Sequence, residues 1–254
     1  MTFDFKAAIQ ARPSGESTAA LINFYGNPEG PGAGASSQGP AWFTPSSAWA
    51  RENLTRVQMS DLPDWPTYPG AEITGVTVHR LVAPVLIATW ADVVSLGLAK
   101  HLRTFNGAFA ARHMGHDRTR PLSVHAFAAA IDFDAAWNGY GVPLERMQIN
   151  RDVVRVFEER GWTWGGRWST PYEDGMHFQW TDPLKGTPTA DWQDAKAKAA
   201  LQPIPASPFA PTRRVLLSQG GGPFTDISDA RVEIKGAGSV VINAKESDVW
   251  VRVD

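Results

Sequence analysis

The sequence predicts an α+β fold, a small mainly antiparallel sheet flanked by helices, followed by a small β module at the C-terminus. Three observations predict it. Two segments of the 254-residue chain repeat apolar residues at helical intervals. Two short stretches, one between those segments and one after them, alternate as strands do. Past a proline-rich stretch the composition then shifts to short β-type runs.

Taken in order, residues 26–48 are rich in Gly, Pro and Ser, and residues 61–72 are rich in turn formers. Residues 1–72 therefore read as an N-terminal extension that wraps the domain and holds only short structure. Leu86, Trp90, Val93, Val94, Leu96 and Leu98 predict a helix over 85–105. Residues 130–134 (AIDFD) and 176–180 (MHFQW) predict strands. In the second, Met176, Phe178 and Trp180 share one face and His177 and Gln179 the other. Residues 150–160 predict another helix, capped by Asn150, striped by Val153, Val154 and Phe157, and stopped by Gly161. These elements fall in a central domain, 73–200. Residues 195–212 read as a short helix and a proline-rich linker, and 201–254 as linker and β module. Its strands are RRVLL, ARVEI, SVVIN and DVWVRV, with turns at GAGS and AKESD.

Composition narrows the function classes. The formal net charge of −2 gives no whole-chain attraction to nucleic acid or to an anionic membrane, so no nucleic-acid partner is expected. No window reaches the ~18 apolar residues of a membrane span. MTFDFKAAIQARPSGES lacks a basic stretch followed by an apolar run, so no secretory signal is expected. The chain is then expected to be made in the cytoplasm and released by another agent if its substrate lies outside. Without cysteine there is no disulfide, no thiolate nucleophile and no cysteine-held metal. Any metal must be held by His, Asp or Glu. Most of the eleven tryptophans are expected in the core, with a few free to line a groove.

Six histidines are present. His79 and His101 read as packing or surface residues. His113 and His116 have a spacing that suits one helix face and a second metal pair, against which weigh Gly115 and the lack of a nearby carboxylate pair. His125 and His177 sit in less ordinary surroundings, LSVHAFAAAID and YEDGMHF. A cysteine-free catalytic zinc needs three protein ligands and an open position. Two neutral imidazoles and one carboxylate leave the metal positive and lower its bound water's pKa to about 7. A second carboxylate must then serve as general base. Asp174, three residues before His177, can reach that water from the loop; Glu173 beside it is the alternative.

The pattern S-x-H-x6-D, followed downstream by W-G-G-x-W and D-x-M-H-F, resembles the M15 peptidases. This is the D-Ala-D-Ala carboxypeptidase and L-alanyl-D-glutamate endopeptidase group, which includes many phage endolysins. The resemblance covers residues 78–180 and implies a hedgehog/D,D-peptidase-like fold for 73–200. It implies that His125, Asp132 and His177 hold Zn2+ and that Asp174 is the general base. Arg112, in GAFAARHMG, would stabilise the oxyanion or hold a substrate carboxylate. Ser123 would lend a supporting hydrogen bond. Trp164, with Gly165 and Gly166, would form a turn at the edge of the site, and Tyr172 would join them in binding or support. Relatives carry Gly where this chain has Ala128, a residue that suits helical or extended backbone but not positive φ. They often carry Asp where this chain has Arg167, which bears on substrate preference.

The implied activity is zinc-dependent hydrolysis of peptidoglycan stem peptides, an L-Ala-D-Glu endopeptidase ahead of a D,D-carboxypeptidase. The rival from another class is a non-catalytic, zinc-stabilised module that binds cell wall or virion. The C-terminal β module reads equally as a structural tail or as a targeting element, for cell-wall glycan or for a phage virion or tail.

Overall fold

The computed structural model describes residues 3–185, and the backbone of strands at 215–218, 225–227, 240–245 and 248–253. The chain divides into two units, 1–204 and 205–254.

Near the N-terminus, short polar side chains start helices by accepting orphan backbone donors. Asp4 accepts from the Ala7 amide at 3.0 Å and Ser17 from that of Ala20 at 3.2 Å. They open α1 (Phe5–Ala11) and α2 (Thr18–Tyr25). A two-stranded pair, β1 (Gly34–Ala35) and β2 (Phe43–Thr44), precedes α3 (Ser47–Asn53). Then β3 (Leu54–Gln58) pairs antiparallel with β4 (Gly75–His79). Residues 3–72 thus hold three α-helices and three strands, all of them short. They contribute Leu21, Tyr25, Phe43, Val57 and Leu62 to the main core. The Tyr25 hydroxyl donates to the Trp180 carbonyl at 2.5 Å, tying this region to the far end of the domain.

The helix expected over 85–105 is shorter, α4 (Ala83–Ser95). Gly97, at φ +65°, ends it in a Schellman turn. The Leu98 amide donates to the Val93 carbonyl and the Gly97 amide to that of Val94, each at 2.9 Å. The chain then turns into β5 (Phe105–Gly107).

The central sheet has the order β5-β6-β8-β7, all antiparallel, with β6 (Ala130–Phe133), β7 (Thr163–Trp164) and β8 (His177–Gln179). After β6 comes the short helix α5 (Ala135–Asn138). The helix α6 (Arg151–Glu159) forms where predicted: Asn150 accepts from the amides of Asp152 and Val153, and Gly161 follows at φ +96°. Ile131, Phe133, Phe157 and Phe178 are fully buried between sheet and helices. Trp90, Trp162 and Trp180 are buried with them, and burying large apolar side chains of this kind drives folding. The fold is α+β, as the hydrophobic spacing predicts. Among the described residues, no helix is long and apolar enough to cross a membrane.

The second unit is a four-stranded sheet of order β10-β9-β12-β11. Its strands are β9 (Val215–Ser218), β10 (Thr225–Ile227), β11 (Val240–Lys245) and β12 (Asp248–Val253). β12 runs parallel to β9 and the other pairings are antiparallel. Three strands fall on RRVLL, SVVIN and DVWVRV; β10 lies where none was expected. The segments ARVEI, GAGS and 195–212 lie outside the described residues.

Candidate metal centre and active site

The apolar run from Val124 to Ala130 is buried throughout. It draws His125 inward on a single 3-10 turn, Val124–Phe127. Ser123 caps that turn by accepting from the His125 amide at 3.3 Å, so its support acts on the backbone. Strand alternation in β6 sends Ile131 and Phe133 into the core and Asp132 to the opposite face. In β8 it buries Phe178 and leaves His177 on the other side. Asp132 pairs directly with His177 in the antiparallel register, which places both side chains on one face.

The three groups meet. His125 Nε2 lies 3.2 Å from Asp132 Oδ1, His177 Nδ1 lies 3.1 Å from the same oxygen, and the two ring nitrogens are 3.1 Å apart. Among the described residues, His125, Asp132 and His177 form the group able to hold a metal ion. The donor chemistry fits a cation. His125 Nδ1 is 3.0 Å from the Ala108 carbonyl, which can only accept, so Nδ1 carries the proton and Nε2 presents a lone pair. That lone pair faces an ionised carboxylate. Two electron-rich atoms at this distance repel unless a positive centre sits between them.

Where no ion sits between them, protons on the imidazoles take that central place. Burial alone would raise the Asp132 carboxyl, but His125 and His177 overcome it and hold the group well below the usual carboxylate range. Burial likewise pulls His177 down, and Asp132, with Asp174 behind it, pulls it up past its ordinary value.

Asp174 is buried, and its Oδ1 has no hydrogen-bond partner among the described residues. Burial, reinforced by the Asp132 charge, pushes its carboxyl up to about 6 against the pull of His177, His125 and Arg112. Glu173 is engaged elsewhere, accepting from the Thr170 hydroxyl at 2.5 Å. Arg112 lies close enough to act on Asp174, and its guanidinium sits 6.0 Å from the Trp42 ring centre. The β-bridge between Trp42 and Arg112 shows that the N-terminal region helps place this arginine.

Trp164 donates through its indole N–H to the Gly175 carbonyl at 2.8 Å, and the Asp174 amide donates to the Gly165 carbonyl at 3.0 Å. The W-G-G turn therefore holds the loop that carries Asp174. Tyr172 lies on that loop with half its surface exposed. His113 and His116 do not share a helix face. Gly115, at φ +59°, breaks the turn between them. His113 Nδ1 donates to the Arg120 carbonyl at 2.7 Å, while His116 packs on Trp42.

Ala128 departs from the expectation of helical or extended backbone: it is left-handed, at φ +53° and ψ +36°. Such a conformation costs a non-glycine residue roughly 1–2 kcal/mol. Three backbone hydrogen bonds hold it. The Ala128 amide donates to the His125 carbonyl at 3.0 Å, the Ala129 amide to that of Val124 at 3.3 Å, and the Ala128 carbonyl accepts from the His79 amide at 2.8 Å. Two partners of the centre went unread in the sequence. Trp168 stands in the W-G-G-x-W pattern but gave no hint that its ring would pack 5.4 Å from that of His177. The Ala108 carbonyl is a backbone group and leaves no sequence trace.

Residues 116–180 match a family model of the M15 peptidases described as D-alanyl-D-alanine carboxypeptidase. The matched span holds all three converging residues and Asp174, and stops short of Arg112. No curated protein and no solved structure matches the chain. The match supports an M15-family peptidase, and the three converging groups form a set that could hold a metal ion.

Proposed function

We propose that the chain is a zinc-dependent peptidase acting on peptidoglycan stem peptides. The observation that carries this reading is the meeting of His125 Nε2, His177 Nδ1 and Asp132 Oδ1 beside a buried carboxylate, Asp174, one oxygen of which has no partner among the described residues. Two imidazoles and one carboxylate suit zinc, and three protein ligands leave a coordination position open. Four protein ligands would close a purely structural site, so the set of three favours an enzyme over a binding module. When bound, zinc supplies a Lewis acid that polarises the scissile carbonyl and acidifies water.

The chain's own groups do the rest. Asp174, with its carboxyl raised toward neutrality, accepts a proton from the attacking water and returns it to the leaving amine. Arg112 offers positive charge to the developing oxyanion or to a substrate carboxylate. The Trp164 turn and the Ser123 cap hold Asp174 and His125 in place. Tyr172, exposed on the Asp174 loop, contacts substrate in this reading.

Within this class we put cleavage of an L-Ala-D-Glu type bond first, on the motif set. The description of the matched family favours D,D-carboxypeptidase action as the second reading. Release at lysis or carriage on a phage particle, with the C-terminal β unit as attachment element, is the setting proposed from the resemblance.

The test is mass spectrometry of soluble products from purified peptidoglycan, with and without a zinc chelator. Chelator-sensitive L-alanine carboxyl ends establish the endopeptidase, and released D-alanine the carboxypeptidase. A zinc-loaded protein that yields no product from any wall type overturns the enzyme reading.

A further inference from the structure

Which nitrogen of His177 carries the proton is decided outside the three converging groups. Its Nε2 lies 3.0 Å from Gln179 Oε1, two residues along the same face of β8. Alone this contact is ambiguous, because an amide can present its oxygen or its NH2 to an imidazole. The next partner resolves it. Gln179 Nε2 lies 2.7 Å from Thr181 Oγ1, and the Thr181 hydroxyl donates to the Asp182 carbonyl at 3.0 Å. A carbonyl only accepts, and a hydroxyl has one proton. With that proton committed to Asp182, Thr181 Oγ1 must accept from Gln179. The Gln179 amide therefore turns its oxygen to His177, Nε2 carries the proton, and Nδ1 is left as a lone pair aimed at Asp132 and His125.

The N-terminal region seals this arrangement. Gly15 is buried against it, and a Cβ there would stand 2.7 Å from Thr181 Oγ1 and 3.1 Å from Gln179 Nε2. The Asp182 amide donates to the Pro13 carbonyl at 2.9 Å, and the Arg12 side chain pairs with the Asp182 carboxylate at 2.9 Å. Gln179 and Thr181 are themselves almost wholly buried, so water does not compete for these contacts.

We propose that Gln179 and Thr181, closed over by Gly15, are positioning residues that fix His177 as an Nδ1 metal ligand, a role that presupposes the zinc centre above. Partners of this kind raise ligand basicity and orient the ring, and losing one typically weakens metal binding roughly 10–100-fold.

The test measures zinc affinity of the full chain by competition with a chromophoric chelator. Gln179→Met keeps the shape but removes the acceptor, and is expected to bind zinc roughly 10–100-fold more weakly. Gln179→Glu can only accept, and is expected to stay within a few-fold of the native protein. Gly15→Ala touches no side chain of the metal centre, yet is expected to weaken binding by displacing Thr181 and Gln179. Thermal unfolding in chelator checks that each variant folds. Nitrogen-15 NMR of the zinc-loaded protein should show the His177 proton on Nε2. Native affinity in Gln179→Met overturns the relay, as does a loss in Gln179→Glu equal to that in Gln179→Met. A native protein that takes up no zinc overturns instead the metal centre on which the relay acts.

Discussion

Removing Arg167 should destabilise the domain in a pH-dependent way. Its guanidinium grips Glu158 with two contacts, Nε to Oε1 at 2.5 Å and Nη2 to Oε2 at 2.9 Å. The Glu158 side chain is 1% exposed and that of Arg167 25%. Deleting one partner of a buried pair typically costs roughly 3–5 kcal/mol, because the other charge is stranded. Arg151, which also attracts Glu158, stays behind, so Arg167→Ala should fall at the low end, about 3 kcal/mol. For a domain of this size that is roughly 6–12 °C in Tm. Burial already raises the Glu158 carboxyl above its ordinary value, and losing Arg167 raises it further. The unfolded chain then ionises first as pH rises, so stability falls from the unfolded pKa up to the folded one. The deficit should be full at about pH 8 and reduced at about pH 5. Calorimetry at both pH values checks this, and Glu158→Met with Arg167→Met should recover most of the loss. A Tm within about 2 °C of native near pH 8, or a deficit that does not shrink in acid, refutes the reasoning.

Three further outcomes are expected. Asp174→Asn should retain its zinc yet lose roughly 10²–10⁴-fold in turnover, and an active, zinc-loaded variant removes Asp174 from the mechanism. Zinc at about 100 times its Kd should stabilise the protein by about 2.7 kcal/mol, roughly 5–11 °C of Tm that a chelator abolishes. His125→Ala should show no such response, and a native protein indifferent to chelator contradicts the metal centre. His79 is fully buried, donates to the Tyr25 carbonyl at 3.1 Å and accepts from the Leu81 amide at 3.2 Å. Burial lowers its pKa to about 4. The unfolded chain therefore takes up this proton first, and stability should fall as pH drops from about 6.5 toward 4. His79→Gln should flatten that part of the stability curve, and an unchanged slope assigns the acid sensitivity elsewhere.

What the sequence reveals depends on how local the determining contacts are. α6 was legible because its cap, stripe and stop lie within one short stretch, Asn150 to Gly161. α4 was read too long because Leu96 and Leu98 continue the apolar rhythm on both sides of Gly97, whose positive φ ends the helix. The N-terminal region was read as an extension because its Gly and Pro content dominates. Its helices are short, and β3 finds its partner only at β4, beyond an intervening turn-rich segment. His125, Asp132 and His177 stood out because their motifs are compact, and strand alternation in β8 already placed His177 beside Gln179. The left-handed backbone at Ala128 was hidden, since a small apolar residue carries no mark of positive φ. The Glu158–Arg167 pair was hidden too: nine residues separate the partners, and neither helical nor strand spacing joins them.

The register of β6 against β8 carries a consequence for assembly. Asp132 faces His177 only when Ile131 faces Phe178. A slip of one residue would turn one strand's ligand into the core and one of its apolar residues out to the cation's side. Convergence of the donor groups and closure of the core thus demand the same strand alignment. A mispaired chain would neither close the core nor bring the three donor groups together, so the alignment that folds the domain is also the one that assembles the candidate site.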